Sequence, residues 1–264
     1  MIDLSIVIVS WNVKSLLKKC LESIKRNQDN LKLEVFVIDN ASTDGTVEMA
    51  KEDFVSTKKT LIEFVANKTN VGFAVASNQG ILRSAGRYVL LLNPDTEILN
   101  NALKKAVDFL DQNPRAGVLG CRHLNPDWTL QPSVRRLPKL WPIILILTKL
   151  AKIIPNLKSL NYYLAKDFDY KVNQPAEQVA GSFFMIRRQT IEEIGILDEN
   201  FFIWFEEVDF CQRALEASWQ IWYNRDAEII HYGGQSFAQV MSWKKQSMFC
   251  KSAIHYFQKH GFFH

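Results

Sequence analysis

Cysteine is scarce in this sequence, as are long apolar runs and blocks of like charge. There are four cysteines and no Cys-x-x-Cys pair: Cys20, Cys121, Cys211 and Cys250. This usage is typical of reduced residues in a cytosolic protein and argues against zinc sites and disulfides. No apolar run approaches the roughly 20 residues that span a bilayer. The net charge of +4 is mild, and no block of five or six like charges indicates a nucleic-acid partner.

Common nucleotide-binding fingerprints are missing as well. Neither GxGxxG nor the P-loop pattern occurs, so the sequence gives little support to a dehydrogenase or a P-loop ATPase. The N-terminal stretch MIDLSIVIVSWN has an early acid, no basic stretch and no small-residue cleavage site. We therefore expect a first β-strand there rather than a signal peptide, and a cytoplasmic protein.

The first hundred residues alternate regularly between strand and helix patterns. Near-continuous aliphatic runs predict strands at LSIVIV, LEVFVID, LIEFVAN and YVLLLN. Helical spacing predicts a helix from Val13 to Ile24. A short helix is predicted in STDGTVEMAKEDF, with Ser42 or Thr43 as its N-cap, and another in SNQGILRSAG, which Gly86 ends. The pattern predicts an α/β fold whose mostly parallel, Rossmann-like central sheet is flanked by helices.

The second half is less regular. We expect an amphipathic helix from Leu99 to Gln112 and strands at AGVLGCRH, SFFMIRR, QIWYN and AEIIH. Without an internal repeat or a low-complexity linker, the chain of 264 residues is predicted to be a single domain. We divide it into residues 1–97, residues 98–237 and a helical tail, residues 238–264. The tail could cap the domain, form a dimer or touch a membrane, so the oligomeric state stays open.

Polar residues follow four of the predicted strands. The clusters are Ser10-Trp11-Asn12, Asp39-Asn40, Asn67 to Asn70 and Asn93-Pro94-Asp95. Ligands of parallel sheets bind beyond the carboxyl ends of the strands, so we expect all four clusters to meet in one crevice. Any one cluster could equally be an ordinary turn, but four clusters in register favour a site.

Residues 128–166 form a basic, apolar segment. The segment has seven Lys or Arg residues, no Asp or Glu, and the stretch LWPIILILTKLAKIIP. Two interpretations remain open: a helix that lies on an anionic membrane surface, or an ordinary amphipathic helix packed on the domain.

Carboxylates set among aromatic residues form another candidate group. In LDENFFIWFEEVDFCQR the acids are Asp198, Glu199, Glu206, Glu207 and Asp209. Partial desolvation should raise a carboxyl pKa towards neutrality, as a general base requires. The acids also fit a helix N-terminus, with Arg213 as the i,i+4 partner of Asp209, so the pattern alone leaves both interpretations open.

His231 ends the predicted strand AEIIH. A lone histidine at a strand end is usually structural. However, His231 and an aspartate at a neighbouring strand end could share an oxygen-preferring divalent ion, with substrate phosphates as the other ligands.

The sequence contains eight segments whose order resembles that of family-2 glycosyltransferases: IVIVSWN, VIDNASTDGT, NVGFAVASNQGI, YVLLLNPDTEI, VRRLP, VAGSFFMIRR, LDENFFIWFEEVDFCQR and IIHYGGQS. Within that family, the sequence looks most like the bacterial rhamnosyltransferase-like branch. The resemblance spans residues 3–237. It implies a GT-A fold, a nucleotide-diphosphate sugar donor, a divalent metal (Mg²⁺ or Mn²⁺) and inversion at the anomeric carbon. Residues 1–97 would then bind the nucleotide sugar, and residues 98–237 would carry the acceptor site and the catalytic base.

The same resemblance implies roles for individual donor and metal residues. Asn93-Pro94-Asp95 aligns with the family's Asp-x-Asp metal motif; the first acid is Asn here, so Asp95 must carry most of the motif's metal binding. His231 matches a late histidine that can ligate the metal. The implied donor-binding residues are Ser10, Trp11, Asn12, Asp39, Asn70, Gly72, Asn78, Asn93 and Arg135. Among these, Asp39 should accept from the base N3–H, and Trp11 should lie near the base.

Arg135 and its neighbour Arg136 suit a diphosphate or an anionic acceptor. They could equally be solvated surface arginines.

The resemblance also implies a base and an acceptor pocket. The Glu-Glu pair matches an acidic pair whose second member is the base, which is Glu207 here, with Glu206 and Asp209 as alternates. Glu207 would take a proton from an acceptor hydroxyl as that hydroxyl attacks the anomeric carbon in line. By family position, Gly181, Ser182 and Trp204 line the acceptor pocket.

The leading hypothesis is a glycosyltransferase on the cytoplasmic face of the plasma membrane that extends a cell-envelope glycan or a lipid-linked sugar. Its donor would be dTDP-rhamnose or a UDP-sugar. A nucleotidyltransferase is a rival, although SWNVKSLL lacks the glycine-rich basic loop that holds a triphosphate. A catalytically degenerate sugar-nucleotide-binding protein is a second rival. The asparagine at position 93, in place of an acid, keeps this second rival open. The presence of Asp95, Glu207 and His231 argues against it.

Overall fold

The computed structural model describes residues 1–234 and 241–261. Its first four strands follow the predicted aliphatic runs: β1 (Leu4–Ser10), β2 (Leu33–Asp39), β3 (Thr60–Ala66) and β4 (Tyr88–Leu92). β1 pairs in parallel with both β2 and β4, and β2 pairs in parallel with β3. Every residue of β2 and β4 is buried, as expected for strands covered on both faces.

The helices of this half are α1 (Lys14–Arg26), α2 (Thr46–Asp53) and α3 (Phe73–Arg83). Two predictions about helix ends were wrong. Helix α2 begins after Gly45 rather than after a Ser42 or Thr43 cap, because the Asp44 carboxylate accepts the Thr46 N–H instead. Helix α3 starts earlier than predicted and ends at Arg83, before Gly86.

The second half adds strands and helices in less regular order. They are β5 (Thr96–Leu99), α4 (Ala102–Gln112), β6 (Ala116–Leu124), β7 (Leu130–Gln131), β8 (Val134–Arg135), α5 (Leu140–Leu147), α6 (Lys158–Tyr163), β9 (Gln174–Ala176), β10 (Gln178–Val179), β11 (Phe183–Arg187), α7 (Arg188–Ile194), α8 (Glu206–Glu216), β12 (Gln220–His231) and α9 (Ser242–His260).

One mixed sheet runs through both halves in the order β3-β2-β1-β4-β11-β6-β12-β5. β11 lies antiparallel between β4 and β6, while β12 runs parallel to β6 and antiparallel to β5. Two sequence predictions need correction. The segment expected to be helix from Leu99 begins with strand β5, which crosses the 97/98 boundary. QIWYN and AEIIH form one strand with an irregularity between Asn224 and Glu228.

The basic segment folds as α5, a 3₁₀ turn (Leu150–Lys152) and α6. Helix α9 packs against α5 through a cluster that includes Ile143, Ala253 and Phe257. Within the described residues, no helix is both long enough and apolar enough to cross a membrane. The start of the predicted tail, residues 238–240, and its last three residues lie outside the described residues, as do Gln235 and Ser236 of the final motif.

Candidate active site

A cleft opens at the carboxyl ends of the parallel strands. It is lined by residues from all four polar clusters: Trp11, Asn40, Asn70, Asn93, Pro94 and Asp95. The Asn40 side chain connects two of them, since its Nδ2 donates to the Gly72 carbonyl at 3.1 Å and its Oδ1 accepts from Asn67 Nδ2 at 3.0 Å. The expectation that these strand ends form one crevice is therefore confirmed.

Gly72 allows the loop after β3 to lie against the loop before α8. Its φ of +89° belongs to the region that glycine favours. A Cβ at this position would come within 2.7 Å of the Phe202 carbonyl oxygen. The Phe73 N–H donates to that same oxygen at 2.7 Å. Phe202 thereby becomes a wall of the cleft, and nothing in the sequence pattern singled it out.

Five of the residues predicted to bind the donor are absent from the lining of this cleft: Ser10, Asn12, Asp39, Asn78 and Arg135. Ser10 is fully buried at the end of β1. The Asn12 Oδ1 accepts the Thr43 N–H at 2.7 Å, which ties the loops after β1 and β2 together. Asn78 donates to the Leu197 carbonyl and to Glu199, and accepts the Leu197 N–H. Asn12 and Asn78 thus connect neighbouring loops around the cleft, whereas the Ser10 hydroxyl has no hydrogen-bond partner in the described part of the chain.

Asp39 lies buried where β2 ends. Its Oδ2 accepts the Ser42 N–H at 2.8 Å, whereas its Oδ1 has no hydrogen-bond partner in the described part of the chain. A buried carboxylate oxygen without a partner is costly, so Asp39 keeps one strong acceptor available; Asp39 itself lines a small separate pocket with Thr46 and Phe64.

Asp95, which lines the cleft, lies close to His231 at the end of β12. Asp95 is only 4% exposed, and its Oδ1 lies 3.6 Å from His231 Nε2. That distance exceeds a hydrogen bond, and Nε2 has no hydrogen-bond partner among residues 1–234 and 241–261.

A chain of side-chain hydrogen bonds determines which His231 nitrogen carries the proton. The Asp127 carboxylate accepts from the Thr129 hydroxyl, which in turn accepts from Asn125 Nδ2. Asn125 Oδ1 accepts from Gln131 Nε2, so Gln131 Oε1 faces His231 Nδ1 at 2.7 Å and must accept. His231 Nδ1 therefore donates to Gln131, and in this tautomer of the ring the lone pair is on Nε2, the nitrogen nearer Asp95.

His123, on β6, is a site residue that the sequence analysis missed. Its ring packs edge-on against His231 with centroids 5.8 Å apart, and its Nε2 lies 2.7 Å from the Ser182 hydroxyl. Burial, followed by the proximity of His231, lowers the pKa of His123 to about 3. The neutral ring accepts from Ser182. The polar end of the predicted strand AGVLGCRH was the available signal.

A second cavity adjoins the cleft and contains the acidic pair. It is lined by residues that include Arg135, Gly181, Ser182, Trp204, Glu206 and Glu207, together with Tyr163 and Phe249, which the sequence did not suggest. The cleft and the cavity share Phe73, Asn93, Ile203 and Gly234 as lining residues. Arg135, predicted to bind the donor, lines this adjoining cavity, where its charge acts on Glu207. Arg136 pairs with Asp167 at 2.6 Å on the surface.

Comparison with known proteins identifies the fold and the family. The model of Glycosyl transferase family 2 matches residues 5–195. The chain belongs to this family. An N-acetylglucosaminyl-diphospho-decaprenol L-rhamnosyltransferase of Mycobacterium tuberculosis is 25% identical over 247 residues, covering 88% of this chain and 77% of the relative. A low-salt glycan biosynthesis hexosyltransferase of Haloferax volcanii is 26% identical, covering 87% of this chain and 67% of the relative.

Solved glycosyltransferases of the GT-A type share this fold. The structure of GalNAc-T7 with UDP, GalNAc and Mn²⁺ matches with a TM-score of 0.67 at 16% identity, covering 88% of this chain and 43% of that one. A mannosyltransferase of Pyrobaculum calidifontis in complex with GDP-Man and Mn²⁺ matches with a TM-score of 0.63 at 18% identity, covering 96% and 64%. The chain thus spans less than two thirds of either structure. The predicted fold and enzyme class are confirmed, and family membership does not favour the nucleotidyltransferase or the degenerate binding protein.

The acidic pair of this glycosyltransferase comprises the buried Glu206 and the half-buried Glu207. Burial and then the charge of Glu207 raise the pKa of Glu206 well above its usual value. Burial also raises the pKa of Glu207, against the opposing charge of Arg135. Trp204 and Phe205, just before the pair, both have positive φ angles of 63° and 71°. Such backbone conformations are rare outside glycine and concentrate at functional sites.

Asp209 has a different environment, although it lies on the same helix turn. Its carboxylate contacts Arg213 at 2.9 Å, Lys259 at 2.8 Å and His260 at 2.7 Å. Burial alone would raise the pKa of Asp209, but Lys259 and Arg213 together hold it below its usual value. Asp209 is absent from the lining of the cavity, and we do not propose it as the base.

The raised pKa of Glu206 predicts how stability depends on pH. Its folded-state pKa exceeds the unfolded value of about 4.3, so its contribution to stability is complete below that value and is lost as the pH rises. Relative to wild type, Glu206→Gln should gain stability from pH 5 to pH 9, at up to about 1.4 kcal/mol per pH unit. Urea unfolding of both proteins across this range measures the gain. The exposed control Glu52→Gln should show the same pH dependence of the free energy of unfolding as wild type. If Glu206→Gln also followed the wild-type pH dependence, the raised pKa of Glu206 would be contradicted.

Proposed function

We propose that this glycosyltransferase is metal-dependent and inverting. It moves a sugar from a nucleotide-diphosphate sugar, dTDP-rhamnose or a UDP-sugar, to a hydroxyl of a cell-envelope glycan or a lipid-linked acceptor. One observation carries the proposal. His231 Nε2, which has no hydrogen-bond partner in the described part of the chain, faces the Asp95 carboxylate at 3.6 Å; Asp95 lines the cleft, and His231 lines the adjoining cavity of Glu207.

The residues present fit a divalent cation. Two electron-pair donors held 3.6 Å apart with no hydrogen between them favour a shared cation, and carboxylate oxygen and imidazole nitrogen both ligate Mn²⁺. In the described chain, no three His, Cys, Asp or Glu side chains cluster to hold a metal by themselves. Asp95 and His231 would therefore hold it together with the donor's phosphates. The bound metal would neutralise charge on the departing diphosphate. The Mn²⁺ named for both solved neighbours supports this proposal.

The remaining roles belong to the chain's own residues. Trp11 lines the cleft and would lie near the base. Asp39 Oδ1, which has no hydrogen-bond partner in the described part of the chain, would accept the N3–H of the base. Asn70, Gly72 and Asn93 would border the donor. Glu207 would take the proton from the acceptor hydroxyl, since its raised pKa suits a base near neutral pH.

The acceptor would lie in the cavity between Gly181, Ser182 and Trp204. A Cβ on Gly181 would lie 3.7 Å from the Glu207 carboxyl carbon, so the glycine leaves room beside the base. The name of the mycobacterial relative, which describes rhamnosyl transfer to a decaprenyl-linked sugar, supports a lipid-linked acceptor.

A nucleotide-sugar panel tests the proposal directly. With Mn²⁺ present, the true donor at about 100 times its dissociation constant should stabilise the fold by about 2.7 kcal/mol, a thermal shift of about 5–10 °C. Differential scanning fluorimetry with dTDP-rhamnose, UDP-sugars and the parent nucleotides, each with and without Mn²⁺, measures the shift. The proposal fails if no sugar nucleotide shifts unfolding more in the presence of Mn²⁺ than in its absence.

Substitutions at Asp95 and Glu207 should separate donor binding from chemistry. Asp95→Ala should abolish transfer and remove the Mn²⁺-dependent part of donor binding. Glu207→Gln should lower kcat by about 10²- to 10⁴-fold and leave donor binding intact, because only proton removal is lost. Product formation and donor titration calorimetry measure both effects, and NMR of the product reports the anomeric configuration. Near-normal turnover in Glu207→Gln would show that another residue is the base.

Gln131 should matter because it fixes the His231 tautomer. Gln131→Leu removes the acceptor at Nδ1 and should weaken Mn²⁺ binding by about 10- to 100-fold in the presence of the nucleoside diphosphate. Gln131→Glu keeps an acceptor there and should bind Mn²⁺ nearly as wild type does. Electron paramagnetic resonance of free Mn²⁺ gives the affinities, and ¹⁵N NMR of the metal-free protein gives the tautomer. An unchanged affinity in Gln131→Leu would contradict this role.

A further inference from the structure

Helix α5, the residues that follow it and the start of α9 expose an unusual amount of apolar surface. Trp141 is 65% exposed, Ile153 is 75% exposed and Trp243 is 64% exposed. Leu150, Ile154 and Met241 are exposed as well. We call residues 139–158 with residues 241–245 the α5–α9 face. Several large exposed apolar side chains on neighbouring elements suggest an interaction surface.

The two parts of this face are joined at the end of α5. Gln246 Nε2 donates to the Leu147 carbonyl at 2.7 Å. Trp243 precedes Gln246 by three residues and so lies on the same side of α9. This contact places Trp243 beside the segment that carries Leu150 and Ile153.

The charge on the α5–α9 face has one sign. Residues 128–166 and 229–264 contain no Asp or Glu, while Lys139, Lys149, Lys158 and Lys244 are exposed. The acids that contact α9, among them Asp198 and Asp209, meet its C-terminal end, where they pair with Lys259, His255 and His260. No carboxylate of either segment therefore offsets the lysines of the face.

We propose that the α5–α9 face docks onto an anionic lipid bilayer. Exposed tryptophans take up the headgroup level of a membrane, lysines attract anionic lipids, and the apolar side chains enter the boundary between headgroups and acyl chains. Charge complementarity selects this partner over a second copy of the chain, because two such faces would bring lysines together without any acid between them.

The position of the face deepens the proposed function, on which this step rests. Phe249 follows Trp243 by six residues on α9, which is a rise of about 9 Å. Its ring packs on Trp204 and Phe205, with centroids 5.8 Å and 5.3 Å away, and it lines the cavity of Glu207. A docked α5–α9 face therefore places the acceptor cavity next to the bilayer, where a lipid-linked hydroxyl is presented.

Vesicle co-sedimentation of the full chain tests the docking without any sugar donor. We expect recovery with vesicles that are about one third phosphatidylglycerol, at least about 10-fold less with phosphatidylcholine alone, and loss of binding at high salt. Reversing Lys139, Lys149 and Lys244 to Glu should lower partitioning by about 100-fold. Trp141→Ser with Trp243→Ser should lower it and remove the quenching of tryptophan fluorescence by brominated lipids.

A matched control changes the opposite half of the protein: Leu82→Ser with Lys58→Glu and Lys59→Glu alters side chains that are equally exposed and should leave binding unchanged. Thermal unfolding verifies that each variant is folded. Equal recovery with neutral and anionic vesicles would overturn the proposal. Vesicle binding that is unchanged in the variants of the α5–α9 face would also overturn it. So would a failure to bind vesicles together with a dimer, detected by light scattering, that these variants dissociate. Because no donor is present, such a failure would leave the proposed transfer reaction untouched.

Discussion

The pairing of β5 with β12 is the constraint on which the rest of the site depends. Their antiparallel register sets His231 opposite Thr96, and the Tyr232 N–H donates to the Asp95 carbonyl at 2.9 Å. Several backbone hydrogen bonds thus keep the Asp95 carboxylate and the His231 imidazole close together, although the two residues are far apart in the sequence. Because strand register is set by many bonds at once, neither side chain has to supply the energy that positions it.

A second constraint separates the acids of α8. Asp209 contacts Arg213 on its own helix and both Lys259 and His260 on α9, and so it fastens α9 to the start of α8. Glu206 and Glu207 lie in the same turn, yet Arg135 is the cation whose charge acts on Glu207. An ion cluster at one carboxylate thereby helps to hold a helix that begins with the buried Glu206 and the half-buried Glu207, two acids with raised pKa values. Such acids destabilise the fold when they are ionised. The contacts of Asp209 with α9 offset this cost by holding the start of α8 in place.

The sequence predicted the parallel half of the sheet well, because β1, β2 and β4 are continuous aliphatic runs whose burial follows from composition. It also predicted the crevice, since polar residues at the ends of parallel strands must share an edge. The directions of single side chains were less accessible. Asn78 lies within a motif but points towards Leu197, and Arg135 faces Glu207 rather than the donor cleft. His123 and Gln131 were missed because their importance comes from partners across the sheet, which no local pattern encodes.

The antiparallel insertion of β11 explains how one sheet serves two pockets. The Asn93 N–H donates to the Ser182 carbonyl at 3.1 Å, so the end of β4 is bonded directly to the start of β11. Ser182 in turn holds His123, whose ring packs on His231. In-line transfer requires the leaving diphosphate and the attacking hydroxyl on opposite sides of one carbon. Asn93 lines both pockets, so in the proposed reaction it borders the space between these groups. An uncharged amide there adds no repulsion to the diphosphate or to Glu207, and this is a physical reason for asparagine to replace the first acid of the motif.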